Sequence, residues 1–271
     1  MSTNTITSLM FKTVAIISGN DFAQTLLGKL VNKINCIRGI GTGGYVFTSG
    51  ERVVFDVLHR QCQPPYCIFD VGGHQGAFVK LILDNIATDR FTIHCFEPSV
   101  RTFQILQHNL PEDPRLNLNN LGLYKEKNQK IFYYDAPYSG RASLTKMNLQ
   151  HRGIEFEQFE TVQLDTLDSY CAAKSINKIN LLKIDVEGHE LDVLKGAQMM
   201  FEKKAVDIVM FEFGKCHIDT HYFLKDFYYF FHQLNMQMFR ITPSEYLYPI
   251  KHYQELDEQF NTTNFIVLPN Q

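Results

Sequence analysis

A doubly wound α/β fold with a mostly parallel sheet is the architecture that this 271-residue sequence predicts. Two patterns carry the expectation. From residue 66 onward, short apolar runs alternate with segments of helical spacing, the signature of successive βαβ units. Glycines and acids stand directly after several of those runs, at the carboxyl ends where open α/β sheets bind ligands.

Residues 1–65 read as a helical cap and substrate lid ahead of a ligand-binding domain over 66–271. Leu9 to Ile17 is apolar but interrupted by Lys12 and Thr13. It lacks the basic leader and small-residue cleavage site of a signal peptide and is too short to span a bilayer. Phe22, Leu26, Leu27, Leu30 and Val31 fall on one helical stripe. After the glycine-rich stretch 39–44, Val53, Val54, Val57 and Leu58 continue as a second helix, which Pro64-Pro65 ends.

The alternation then begins. Cys67 to Val71 reads as a buried strand, and Phe78, Leu81, Ile82 and Ile86 as a helix. Phe91 to Phe96 is the second strand, and Ser99 is placed to cap the helix carrying Val100, Phe103, Leu106 and Leu110. Leu116 to Leu123 is a third strand. A β insertion is expected near 125–165, with strands at Ile131–Tyr134 and Val162–Leu164. Leu167 to Ile176 reads as a helix, Asn180 to Val186 as a buried strand, and Leu191 to Phe201 as a single helix. Val206 to Phe211 is the fifth strand of the alternation. A helix lined by Phe223, Phe227, Phe230, Phe231 and Leu234 follows. Strands near Met236–Ile241 and Phe265–Leu268 close the chain, the last expected to run antiparallel.

With 45% hydrophobic and 20% charged residues and a net charge of −3, the composition is that of a globular protein. It carries no basic excess that would point to nucleic acid or an anionic membrane. Six cysteines without a C-x-x-C pair fit a reducing cytoplasm. No metal site is assigned on these spacings, although Asp185, Glu187 and Glu212 offer hard oxygen ligands.

The strand ends supply the chemistry. Asp70-Val71-Gly72-Gly73-His74-Gln75-Gly76 has glycines for a tight turn and close backbone approach. Its spacing differs from the G-x-G-x-x-G of dinucleotide sites, which argues against a nicotinamide-dependent oxidoreductase. An acid before the first glycine repels a pyrophosphate but suits an ammonium group, and so points to S-adenosylmethionine. Glu97-Pro98 follows the second strand, where a carboxylate can accept both ribose hydroxyls. Asn120 lies where an adenine edge would rest. After the fourth strand, Asp185 faces the crevice, followed by Glu187, His189 and Glu190. Histidine suits a general base for an acceptor hydroxyl. Glu212 ends the fifth strand. Tyr133, Tyr134, Tyr138 and Phe213 are candidates for an apolar acceptor wall, and Arg141 for a charge facing an acidic acceptor.

These segments in this order resemble the FkbM family of S-adenosylmethionine-dependent methyltransferases. The matching residues are Ser49-Gly50-Glu51, Phe69 to Gly76, Phe96-Glu97-Pro98, Asn120-Leu121-Gly122, Ala142-Ser143-Leu144, Leu164 to Asp168 and, most specifically, Lys183 to Ala197. The resemblance implies a Rossmann-like methyltransferase fold and O-methylation of natural products, sugars or glycan- and lipid-linked acceptors. It implies a cofactor site of Glu51, Asp70, Gly72, Gly76, Glu97 and Ser143, to which the strand-end reading adds His74, Pro98, Asn120 and Asp185. The family usually has alanine-asparagine where this chain has Gly73-His74, so His74 is expected to alter contacts at the methionine end of the cofactor. Asp185, His189 and Glu212 are the candidate catalytic groups, and the acceptor is expected to be a small molecule. N-methylation of an amine or peptide and a non-catalytic binding module are the alternatives. The oligomeric state stays open.

Overall fold

The computed structural model describes residues 12, 14–44 and 49–270. The apolar stretch at Leu9–Ile17 therefore lies partly outside the described residues. The chain divides into two compact units, Met1–Arg38 and Gly39–Gln271. In the first, helix α1 (Asp21–Ile37) forms over the expected stripe, with the Asn20 side chain accepting from the Ala23 amide.

The second unit is built on an eight-stranded sheet. In chain order its elements begin with α2 (Val53–Gln61), β1 (Tyr66–Val71), α3 (Ala77–Asn85), β2 (Phe91–Phe96), α4 (Val100–Asn109) and β3 (Leu116–Asn119). The insertion region contributes β4 (Gly122–Leu123), β5 (Asn128–Tyr134) and β6 (Gln158–Asp165). Then come α5 (Leu167–Ala173), β7 (Ile179–Ile184), α6 (Glu190–Lys195), α7 (Gln198–Glu202), β8 (Val206–Phe213), α8 (Cys216–Thr220) and α9 (Leu224–Gln233). β9 (Met236–Ile241), β10 (Leu247–Ile250) and β11 (Thr263–Pro269) complete it.

The sheet order is β10-β9-β11-β8-β7-β1-β2-β3, and β4-β6-β5 forms a separate small sheet. Strands β3, β2, β1, β7 and β8 pair in parallel. β11 inserts antiparallel between β8 and β9. This is the expected doubly wound sheet with its antiparallel C-terminal strand. Both faces are covered, which is why the central strands are apolar without alternation. Phe69, Leu182 and Val209 face one core with α5, α6 and α9. Ile68, Leu181 and Ile208 face the other, with α2, α3 and α4. Helix α2, inside the expected 1–65 cap, thus packs five buried side chains into the second unit's core.

Three elements depart from the sequence reading. The expected strand 116–123 is split between the two sheets. At the break, Asn120 Nδ2 donates to the Glu97 and Pro98 carbonyls at 2.9 and 3.0 Å, bending the chain across the end of β2. The expected helix 191–201 is two helices, because the Asp168 carboxylate accepts the Met199 and Met200 amides and starts α7 afresh. β10 was not expected. It contains Pro249, which only an edge strand tolerates, and β10 is the sheet edge.

Candidate active site

The carboxyl ends of β1, β2, β7 and β8 open into a cleft of about 660 Å³, within the range of about 300–1,000 Å³ usual for small-molecule sites. The Gly72 and Gly73 amides both donate to the Phe96 carbonyl, at 3.0 and 2.8 Å, and pin the turn after β1 to the end of β2. Gly72 has φ +87°, and a Cβ there would overlap the Asp185 carbonyl. A Cβ on Gly73 would overlap the Cys95 sulfur instead. Cys95 therefore fills the space that an alanine at position 73 needs, which gives the departure from the family pattern a packing cause. Gly73→Ala should cost about 1–3 kcal/mol of stability through overpacking, and Gly73→Ala/Cys95→Ala should recover most of it, both read by urea unfolding.

Register explains what lies beneath the turn. Asp70 pairs with Lys183 across β1 and β7, and neighbours in register share a face. Lys183 Nζ stands 3.1 Å from Asp70 and 3.5 Å from Asp185, the first residue past the end of β7. Burial opposes the charge on Lys183, but Asp70, Asp185 and Glu51 together hold its ammonium well above the ordinary lysine value. Asp70 is fully buried and does not line the cleft. Its carboxylate faces Lys183 rather than an incoming ammonium group.

Glu97 does line the cleft. The Ser99 amide donates to its Oε1 at 2.9 Å and the His74 amide to its Oε2 at 3.0 Å. Each oxygen keeps lone-pair capacity for a further donor. Burial pushes the Glu97 carboxyl up to about 7, against the pull of those two amides. His74 has φ +46°, and its Nε2 lies 3.0 Å from the Tyr138 carbonyl, so it joins the turn to the β5–β6 connection.

Glu51, Gly72, His74, Glu97, Pro98, Asp185, His189 and Glu212 all line the cleft; Gly76, Asn120 and Ser143 do not. Gly76 begins α3 with φ +87°. Ser143 is fully buried and its hydroxyl donates to the Glu187 carbonyl at 2.8 Å, so it shapes the loop that presents Glu187. Glu51 is fixed at Oε1 by the Ser49 hydroxyl (2.8 Å) and Asn264 Nδ2 (2.6 Å). Burial raises its carboxyl, opposed first by the Ser49 hydrogen bond.

Asp185, Glu187 and Glu212 give the cleft an acidic wall. Burial raises all three carboxyls; neighbouring acids add to it at Glu187 and Glu212, which rise furthest, whereas Lys183 is the first to oppose it at Asp185. Such a wall favours a cationic ligand. Among the described residues, no group of three or more His, Cys, Asp or Glu is arranged to hold a metal ion. Glu190 points away from the cleft. Its Oε1 accepts the Val186 amide at 2.9 Å, its Oε2 the Gly188 amide at 3.1 Å, and buried His217 Nε2 stands 2.8 Å from Oε2. The Gly214 amide donates to His217 Nδ1 at 3.1 Å. One carboxylate thereby joins the loop after β7 to the loop after β8. Burial alone would raise Glu190, but His217 and the amide donors hold it below the usual glutamate value.

The expected aromatic wall is corrected. Tyr133, Tyr134, Tyr138 and Phe213 do not line the cleft; Phe132, Leu144, Met147 and Leu149 do. Tyr133 is directed to the other face of β5 by the two-residue alternation. Phe213 is buried and stacks on His217 with centroids 4.5 Å apart. Arg141 lines the cleft and pairs with Asp135. Lys183 and Asn264 line the cleft and were not singled out by the sequence reading. A lysine inside the apolar run Leu181 to Ile184 was the available signal, since a buried lysine requires a carboxylate partner.

The family model for the methyltransferase FkbM domain matches residues 70–247. The 2-O-methyltransferase NoeI of Sinorhizobium fredii is 23% identical over 186 residues, covering 65% of this chain and 75% of that protein. The hexuronic acid methyltransferase AglP of Haloferax volcanii is 25% identical over 147 residues, covering 54% of this chain and 56% of that protein. Among solved structures, the methyltransferase FkbM of Methylobacillus flagellatus KT aligns with a TM-score of 0.43 at 14% identity, over 88% of this chain and 60% of that one.

Proposed function

The chain belongs to the FkbM methyltransferase family, and from that membership we propose that it transfers a methyl group from S-adenosylmethionine to a hydroxyl of a sugar or other small acceptor. The observation that carries this reading is the pairing of two features in one cleft. Glu97, held by two amides, has capacity left for both ribose hydroxyls. Asp185, His189 and Glu212 provide proton-accepting groups on the same lining.

The residues fit the cofactor. The glycine turn allows close backbone approach, and the acidic wall suits a ligand bearing an ammonium and a sulfonium. When bound, S-adenosylmethionine supplies an electrophilic methyl group. The protein's part is to hold the acceptor oxygen in line with it and to remove the hydroxyl proton. In this reading, the part of the expected 1–65 cap that lies in the second unit borders the acceptor site, and Gly43, Gly44 and Glu51 line the cleft. The six free cysteines fit a reducing compartment, and we place the protein in the cytoplasm. Among the described residues, no helix is long and apolar enough to cross a membrane.

The test is an acceptor screen with methyl-labelled S-adenosylmethionine on glucose, glucuronic acid and glucosamine. Label at oxygen is the expected result. Label confined to the glucosamine nitrogen would instead support N-methylation, for which the acidic wall is the favouring observation. Cofactor binding without transfer to any acceptor would point to a binding module.

A further inference from the structure

We infer that Asp192 is a positioning residue that locks His189 in the tautomer with Nε2 unprotonated, and so assigns His189 as the base for the acceptor hydroxyl. The inference rests on the methyltransferase reading above and selects one of its three candidate bases.

The geometry is that of a relay. His189 Nδ1 lies 2.8 Å from Asp192 Oδ2, and both side chains are almost wholly buried. The second Asp192 oxygen accepts the Tyr222 hydroxyl at 2.8 Å and faces Lys125 Nζ at 3.1 Å. An ionised carboxylate held by the Tyr222 hydroxyl and the Lys125 ammonium can only accept, so the imidazole proton belongs on Nδ1. Burial alone would raise the Asp192 carboxyl; His189, Tyr222 and Lys125 hold it below the usual aspartate range. On the other side of the ring, Nε2 lies 3.0 Å from Thr145 Oγ1. With Nδ1 protonated, Nε2 is the acceptor and the Thr145 hydroxyl donates. An acceptor hydroxyl that replaces this contact would meet the same Nε2 lone pair.

His189 lines the cleft, whereas Asp192 and Thr145 do not. The Tyr124 ring meets His189 edge-on at 5.8 Å. Glu187, two residues away, is the nearest acid in sequence on the cleft lining. Asp185, by contrast, is engaged by the Lys183 ammonium, and Glu212 sits among like charges.

The step balances simply. The acceptor O–H proton passes to the Nε2 lone pair as the oxygen–carbon bond forms and the carbon–sulfur bond breaks. A neutral thioether leaves, and the imidazolium beside Asp192 later gives its proton to solvent. An ionised carboxylate on Nδ1 stabilises that imidazolium, the same role that the third member of a hydrolase triad fills.

The tautomer can be read without any acceptor. The full chain carrying 15N-histidine is examined by long-range 1H–15N NMR at pH 8, with His189→Ala identifying the resonances. The expected result is a protonated Nδ1 and an unprotonated Nε2 in the wild type, and a shift toward Nε2–H in Asp192→Ala. Nε2–H in the wild type, or no change in Asp192→Ala, overturns the inference. Asp192→Asn is the second variant, checked for folding by S-adenosylmethionine affinity within about twofold of wild type. On whichever sugar accepts methyl in the screen, it should lower kcat tenfold or more with KM for the cofactor unchanged. An unchanged kcat in Asp192→Asn overturns the inference as well. If no sugar accepts methyl, the O-methylation reading fails, and the NMR result still decides for or against the Asp192 assignment.

Discussion

Replacing Lys183 by methionine should destabilise the protein by about 3–5 kcal/mol, the usual cost of removing one partner from a buried ion pair. Asp70 is fully buried and its carboxylate stands 3.1 Å from Lys183 Nζ. Methionine fills much of the lysine volume, so the loss is electrostatic rather than a cavity. The thermal midpoint should fall by roughly 10 °C for a chain of this size. Asp70→Asn/Lys183→Met should recover most of the loss, because the fully buried Asp70 then carries no uncompensated charge, and only Asp185 at the cleft still lacks its cation. Urea unfolding of the single and double variants checks this, and a Lys183→Met protein as stable as wild type would refute it. The same change should also weaken cofactor binding. Lys183 lines the cleft and is the principal opposing charge for Asp185, whose carboxyl burial already raises. Asp185 would then resist ionisation further at the wall proposed to receive a cation.

How much of this was legible in the sequence follows from what a strand can announce. Phe91–Phe96 and Met236–Ile241 were readable to the residue, because apolar runs bounded by polar turns leave few alternatives. The 116–123 segment reads as one strand because leucines recur on both sides of the break, at 116, 118, 121 and 123, and a tertiary hydrogen-bond pattern at Asn120 separates the two halves. At the site, the rule that ligands gather at carboxyl strand ends located Asp185 and Glu212, which line the cleft, from sequence alone. What it could not supply was register. Asp70 carries a strand-end acid's signature, yet its β7 neighbour turns out to be Lys183, and that pairing directs the carboxylate inward. Glu190 reads in the sequence as one more acid after the fourth strand. Its partners, His217 and the Val186 and Gly188 amides, make it a buried brace. Partners distant in sequence are invisible to periodicity, so residue type and position were readable while role was not.

Glu97→Ala should lower S-adenosylmethionine affinity by at least about a hundredfold, since each hydrogen bond to a charged group contributes about 1.5–3 kcal/mol and two ribose hydroxyls would be lost. The variant also strands the His74 and Ser99 amides that now donate to the carboxylate, which loosens the turn itself. Glu97→Gln should lie between, because an amide keeps one acceptor oxygen but turns a donor toward one of those N–H groups. The wild type should show a pH signature as well. Burial pushes the Glu97 carboxyl up to about 7, and hydroxyl donors favour its ionised form. Below that pH, binding must first displace a proton, so affinity should fall roughly tenfold per pH unit. Asp185, Glu187 and Glu212 are raised too and would respond to the cofactor's positive charges. Adenosine separates the two effects, because it presents both ribose hydroxyls and no charge. Calorimetric titration with adenosine between pH 5.5 and 8.5 should retain the slope in the wild type and lose it in Glu97→Gln. A flat wild-type profile would remove Glu97 from the ribose site. A slope that survives in Glu97→Gln would move the titrating group elsewhere in the cleft.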